Sequence, residues 1–528
     1  MATAFFHRAS LSAAVLTLAA CGGGGGGGSD VAGVNPGTAT PAAPAAASVV
    51  VQGVATFDFV PSTTGGRLDY GAIVAKPIRA ATVELVGADG SVLASGVTND
   101  AGRYSLPVTA DTQVSVRVRA QSKGTGTANW DFTVRDNTAS DAVYAIASAA
   151  FSSGSAASVQ RDINAPSGWN GTDYDAVRPA GAFVLLDTVY TNVLKVATVA
   201  PTANFPVLKV FWSPANVGAS GDRTLGQIGT TSFLESSNGD RSIYVLGRAN
   251  VDTDEYDTSV VSHEWGHYYQ SAFSRDDSPG GTHSARDLLD RRLAFSEGWG
   301  NAWSGIALGR STYTDSSGAR QALGFSLDLS MGPQTNRGWF RESSIQSIFW
   351  NLDRLGGFGA IHTAMTGPFR TGLPVTSIHP FAAAYATGTP SQSGTLVGLL
   401  QEQSISGSTT QPWGDAEVNN GGVALALPLY QRADSPVCVT NQAGQGNRLG
   451  RFAYVRFTTA ASGNRRIVVS GAADTDPDFE VFHGGRIAGA YGSAAGVENA
   501  LVGVPAGESV LAVYDAKATT SCFTVSIN

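Results

Sequence analysis

The sequence predicts a multidomain chain in which an α+β region with mainly helical central segments is flanked by two all-β sandwiches. Three observations carry this. At 528 residues the chain exceeds what one hydrophobic core organises, because single cores stop growing at about 250 to 300 residues. Runs of alternating apolar and polar residues, the mark of half-buried strands, cluster within 49–140 and 433–528. Between them, at 141–432, lie the longer segments with apolar residues at helical spacing.

Composition narrows the setting. Charged residues make up only 14% of the chain, and 64 glycines with abundant Ser, Thr and Ala point to short strands, tight turns and polar loops, as in secreted bacterial proteins. The formal charge of -8, from 34 basic and 42 acidic side chains, provides no basic field to hold a phosphate backbone, which argues against a nucleic-acid partner.

Residues 1–20 read as a signal peptide: His7 and Arg8 precede the apolar run LSAAVLTLAA (11–20), too short to span a bilayer. The junction LAAC, Leu18 to Cys21, resembles the lipobox of bacterial lipoproteins, which implies lipidation of Cys21 and removal of what precedes it. An ordinary signal peptide with an incidental cysteine is the alternative. The glycine tract and Pro/Ala spacer of 21–48 have no apolar face to bury and are expected to be disordered. Two acyl chains and such a leash make an exported lipoprotein of the outer membrane or cell surface, with release to the medium as a variant of the same reading. If Cys21 carries lipid, Cys438 and Cys522 remain, and export to an oxidising compartment predicts a disulfide between them.

The first strand-rich module, 49–140, alternates through SVVVQGVATFDFV, ATVELVGADGSVLASGV and QVSVRVRA, with hairpin turns at Asp89-Gly90 and Asn99 to Gly102. Thr98, Asn99, Gly102, Tyr104 and Leu106 resemble a recurrent stretch of carboxypeptidase regulatory-like, transthyretin-like modules. Nothing in it offers a catalytic constellation, so a spacer or adhesive role is expected. In the central region, 181–198 reads as a helix, LKVFWSPAN and RSIYVLG as strands, and DTSVVSHEWGHYYQSAF (257–273) as a helix with Val261, Trp265, Tyr268 and Ala272 on one buried stripe. Asp257 and Thr258 are placed to cap it. The last module, 433–528, returns to strands. Its segment DTDPDFEVFHGG, followed by a terminal cysteine, resembles bacterial pre-peptidase C-terminal domains. Asp474, Asp476 and Asp478 are candidates for calcium, with a solvated acidic turn as the plainer reading.

The chemistry lies in HEWGH. His263 and His267, four apart on a helix, project from one face, and two neutral imidazoles at that spacing reach one zinc ion, with Glu264 offset toward the substrate as a candidate base. A catalytic zinc needs a third protein ligand. LAFSEGWGNAWSG places Glu297, Gly300, Asn301 and Ser304 on one small, polar helix face, while Leu289, Leu293, Trp299, Trp303 and Ile306 supply apolar surface to dock the same helix. Glu297 is then the third ligand, or else a surface glutamate.

HEWGH followed by EGWGN resembles the gluzincin metallopeptidases, the thermolysin and fungalysin group, and RESSIQSIFWNLDRLGG is similar to a later fungalysin helix. The resemblance implies a thermolysin-like domain, His263, His267 and Glu297 as zinc ligands, and Glu264 as general base. The family aspartate that orients a ligand histidine is matched here by Asn301, which brings no charge. Family members add a Tyr or His that stabilises the oxyanion; Tyr385, His379, His362 and His283 are the candidates. The implied activity is that of a zinc endopeptidase acting on proteins or peptides. A zinc-binding adhesion protein without hydrolysis and a zinc aminopeptidase, with its amine anchor sought in DTDEYD (252–257), are the alternatives. RSIYVLG is read as the edge strand that pairs with substrate, or else as an interior strand.

Overall fold

The computed structural model describes residues 47–528 apart from 175–176, 409, 435 and 441–445. The signal segment, Cys21 and all but the last residues of the expected leash lie outside the described residues. What is described contains several β-sheets and one helical region.

The N-terminal part is built on strand Ser48–Phe59, which pairs with Arg103–Thr109 and Val74–Pro77 antiparallel and with Ser158–Gln160 and Ile163–Ala165 parallel. A second sheet runs Ala145–Ala147, Gln113–Arg119, Thr82–Gly87, Val92–Val97. Alternation dictates both faces: Val49, Val51, Val83, Leu85, Leu106, Val114, Val116 and Val118 are buried while their neighbours are not. The Asp89-Gly90 turn forms as expected, with Gly90 at φ 84° and the Asp89 carboxylate accepting from Ser91 N–H.

Residue 140 does not separate sheets. Gln121–Thr125 and Asn129–Asp136 belong to a mixed sheet whose order continues through Leu208–Trp212 and Arg241–Val245 to Ser232–Glu235, whereas Ala145–Ala165 supplies strands to the two N-terminal sheets. Arg241–Val245 is therefore interior, with Leu208–Trp212 parallel on one side and Ser232–Glu235 antiparallel on the other. The free edge is Ser232–Glu235, not RSIYVLG. The reason is the turn at Ser236 to Asp240, which folds a short preceding strand back over it.

Helix α1, Ala180–Ala197, is apolar enough by length and composition to cross a membrane, yet it is mostly buried here. It packs against strands Ser48–Phe59 and Asn129–Asp136 and against helix α2, Thr258–Phe273. Helices α3, Arg291–Leu308, and α4, Glu342–Gly356, complete the layer, α2 on α3 and α3 on α4. Trp265, Tyr269, Trp299 and Trp303 fill the first contact; the Trp265 and Trp303 rings stack at 5.3 Å and Tyr269 and Trp303 at 5.4 Å. Gly266 and Gly300 meet where the helices cross, and a methyl on Gly266 would lie 3.0 Å from Gly300 Cα. Ile345, Ile348, Phe349 and Leu352 bury the inner face of α4. Asp257 occupies the cap position of α2 but makes no capping bond; its carboxylate instead accepts from Ser316 N–H and Oγ–H at 3.2 and 2.5 Å. A tertiary partner on strand Thr312–Ser317 outcompetes the local one.

The C-terminal module has two four-stranded sheets and its own core of Val455, Ile467, Val469, Phe479, Val481, Leu511, Val513, Phe523 and others. Cys438 and Cys522 are directly paired across neighbouring strands and disulfide-bonded. The module docks on the start of α3. Asp290 caps that helix by accepting from Arg292 N–H at 3.1 Å, and Tyr454 of the C-terminal module donates to the same carboxylate at 2.7–2.8 Å. The buried Arg292 guanidinium binds Asp290 at 3.0 Å and Glu480 at 3.0 Å and lies over the Phe452 ring.

Candidate metal centre

The crossing of α2 and α3 brings the ligand candidates together. Ligand atoms of His263, His267 and Glu297 all lie within 4.8 Å of one another. Glu297 Oε2 is 3.1 Å from His263 Nε2 and 3.6 Å from His267 Nε2, and the two Nε2 atoms are 3.1 Å apart. Glu297 therefore faces the motif helix from a buried position, not the surface. Gly300 makes this possible: a methyl there would sit 2.9 Å from His263 Cε1 and Nε2.

The outer nitrogens are also engaged. His263 Nδ1 lies 2.9 Å from Asn301 Oδ1, the position where the resemblance puts an aspartate. His267 Nδ1 lies 3.2 Å from Ser296 Oγ and 3.4 Å from Gln270 Oε1. An acceptor at each Nδ1 assigns the proton to that nitrogen and turns the Nε2 lone pair toward the common centre. With two imidazoles and a carboxylate as donors, the set fits zinc with a position left open.

Glu264 accepts a hydrogen bond from Phe233 N–H at 2.7 Å. Phe233 belongs to the free edge strand, so the carboxylate sits between that edge and the histidines. Burial pushes its pKa up, against the pull of His263 and His267. For Glu297, burial acts in the same direction, but His267 and the hydrogen bonds from His263, His267 and His283 outweigh it and hold the carboxyl well below its usual range.

Of the four oxyanion candidates, only His283 reaches the site. It bridges Glu297 at 3.2 Å and Glu342 at 2.8 Å from the loop between α2 and α3. His379 bonds Glu417, His362 bonds Tyr269, and Tyr385 bonds Gln392. Tyr313 was not singled out by sequence; its ring packs edge-on to His263 at 6.3 Å, a contact set by strand Thr312–Ser317 and without a local signal.

In DTDEYD, Glu255 pairs with Arg178 at 2.8 Å, Asp254 accepts from Thr231 and Asp257 from Ser316, all buried. Asp252, Asp254 and Asp315 form a second acidic group within 4.8 Å. Asp474, Asp476 and Asp478, the calcium candidates, form no such group among the described residues; Asp476 N–H binds Asp515 and the Asp474 carbonyl accepts from Lys517.

No model of a known protein family matches the chain, and no curated protein does. Among solved structures, the pre-peptidase C-terminal domain of a collagenase from Bacillus anthracis matches at 14% identity over 19% of this chain and 92% of that one, with a TM-score of 0.16. A cycloisomaltooligosaccharide glucanotransferase from Paenibacillus sp. matches at 9% identity over 91% of this chain and 72% of that one, with a TM-score of 0.14. At such scores the activity rests on the residues themselves.

Proposed function

We propose that the chain is a zinc-dependent endopeptidase of the gluzincin type, with a thermolysin-like arrangement of α2, α3 and the adjoining sheet. The observation that carries this is the convergence of His263, His267 and Glu297 on one point, with Glu264 beside them. His263, His267 and Glu297 would hold the ion, each imidazole through Nε2. Zinc supplies a Lewis acid that makes water nucleophilic near neutral pH and stabilises negative charge on a carbonyl oxygen.

The chain's own groups do the rest. An extended peptide can add to the free edge of Ser232–Glu235, which lays its backbone along the site. Phe233 N–H fixes the Glu264 carboxylate, which takes a proton from the attacking water and returns it to the leaving amine. Its raised pKa suits both halves of that transfer. His283 spends both ring nitrogens on Glu297 and Glu342, so in this reading it braces the third ligand and not the substrate carbonyl. Glu255, Asp254 and Asp257 of DTDEYD are taken up by Arg178, Thr231 and Ser316, which favours an endopeptidase over an aminopeptidase that would use them to hold a free amine. Export as a lipoprotein is part of the proposal, supported by the LAAC junction and by the Cys438–Cys522 disulfide.

The test is zinc content and casein cleavage for the wild type and Glu264→Gln. Loss of cleavage with retained zinc is expected for the variant. An active Glu264→Gln protein would refute the role of the base, and a wild type that holds zinc without cleaving peptides would point to a binding protein.

A further inference from the structure

Two ligand imidazoles in one site usually owe their orientation to two outer acceptors, and here the acceptor for His263 is a neutral amide. The structure assigns the missing charge to the other histidine: we propose that Asp276 is a positioning residue that fixes His267 for metal binding through the hydroxyl of Ser296. This rests on the zinc reading above. Ser296 immediately precedes Glu297 on α3, and Asp276 lies on the loop just past the end of α2, so the three residues tie both helices and the loop to one ligand.

Ser296 Oγ has three neighbours, Asp276 Oδ2 at 2.8 Å, His267 Nδ1 at 3.2 Å and Gln270 Oε1 at 3.2 Å. A hydroxyl has one proton to give, and an ionised carboxylate is both the strongest acceptor of the three and the nearest. With the proton on the Asp276 side, the Ser296 lone pairs face His267, whose Nδ1–H then donates to Ser296 and its Nε2 keeps a lone pair for the ion. Without the carboxylate, the hydroxyl is free to donate to His267 Nδ1. That reverses the tautomer and places a proton on Nε2, where the metal must bind. Desolvation raises the Asp276 pKa, while His267, the Ser278 N–H at 2.9 Å and the Ser296 hydroxyl at 2.8 Å favour its charged form.

The experiment measures the Zn²⁺ dissociation constant by chelator competition, and the visible spectrum of the Co²⁺-loaded protein, for the full chain and for Asp276→Asn, Ser296→Ala and the double variant. Each single change is expected to weaken Zn²⁺ binding about ten-fold. The double variant is expected to bind no more weakly than Ser296→Ala alone, because both changes break one relay. Asp276→Glu, which keeps the charge at an exposed position, should recover most of the loss and the wild-type Co²⁺ spectrum. Losses that multiply in the double variant, or an Asp276→Asn protein with wild-type affinity and spectrum, would overturn the relay while leaving the zinc site standing. A wild type that binds no Zn²⁺ would remove the zinc reading and the relay with it.

Discussion

Gly300→Ala sets two effects of known sign against each other. In an unhindered helix, replacing glycine by alanine stabilises by about 1 kcal/mol, because the unfolded chain loses freedom and the helix gains a better former. At position 300 the added methyl would lie 2.9 Å from Cε1 and Nε2 and 3.0 Å from Nδ1 of His263, against ordinary contacts of about 3.4 Å or more. Either the ring retreats by roughly half an ångström or the helices part. Parting is opposed by the reciprocal contact, since Gly266 already brings α2 close to the Gly300 backbone. Overpacking of this kind costs about 1–3 kcal/mol, so the net change is a loss of up to about 2 kcal/mol. The larger effect falls on the metal, because a ligand set tolerates displacements of only about 0.2 Å. Zinc affinity, read by chelator competition, is expected to fall at least ten-fold, with a lower melting temperature. A variant that binds zinc as the wild type does and melts higher would show that the Gly300–His263 contact does not limit the site.

Three further outcomes follow from the same structure. Replacing both Cys438 and Cys522 by Ser opens a loop with a sequence separation of 84, and the melting curve should report a loss of about 4–5 kcal/mol in the entropic account. Asp290→Ala removes the cap of α3 and the acceptor for Tyr454 and Arg292; about 2–4 kcal/mol of stability should be lost by denaturant titration, together with weakened zinc binding through Glu297. The Asp478 carboxyl is pushed up to about 7, first by burial and further by Asp476, Glu498 and Asp515. The folded chain then keeps a proton that the unfolded chain releases near pH 4, so this group's contribution to stability falls as pH rises from about 4 to 7. Asp478→Asn should flatten that part of the stability–pH profile and raise the melting temperature at pH 8; an unchanged profile would contradict the assignment.

Much of the candidate site could be read in the chain because it depends on helix geometry. His263 and His267 share a face at any occurrence of their spacing, and Glu297 could be picked out because the small residues Gly300, Asn301 and Ser304 share its face while large apolar ones dock the helix. The disulfide followed from cysteine count and compartment. Other parts depend on how distant segments meet. Ser232–Glu235 is too short to show alternation, so the sequence leaves its better-patterned neighbour Arg241–Val245 as either edge or interior strand. His283, Ser296 and Asp276 become partners only once the loop after α2 folds back, and no local spacing encodes that. Asp257 reads as a cap because its sequence neighbours say so, while Ser316, far along the chain, takes its carboxylate. The sheet shared by residues before and after 140 is likewise a matter of pairing between remote strands, which periodicity leaves undetermined.

The docking of Tyr454 and Glu480 on Asp290 and Arg292 bears on what kind of appendage the C-terminal sandwich is. A chain cut at residue 435 would retain His263, Glu264, His267 and Glu297, yet α3 would begin with a cap stripped of its tyrosine and an arginine stripped of its glutamate and of the Phe452 ring. The helix that bears Glu297 would fray from the end nearest its ligand. Such a sandwich cannot be shed on maturation, or exchanged for an unrelated one, without rebuilding the face it covers. It works as a splint for the helix that carries Glu297, and inheritance should treat the two as a single heritable unit.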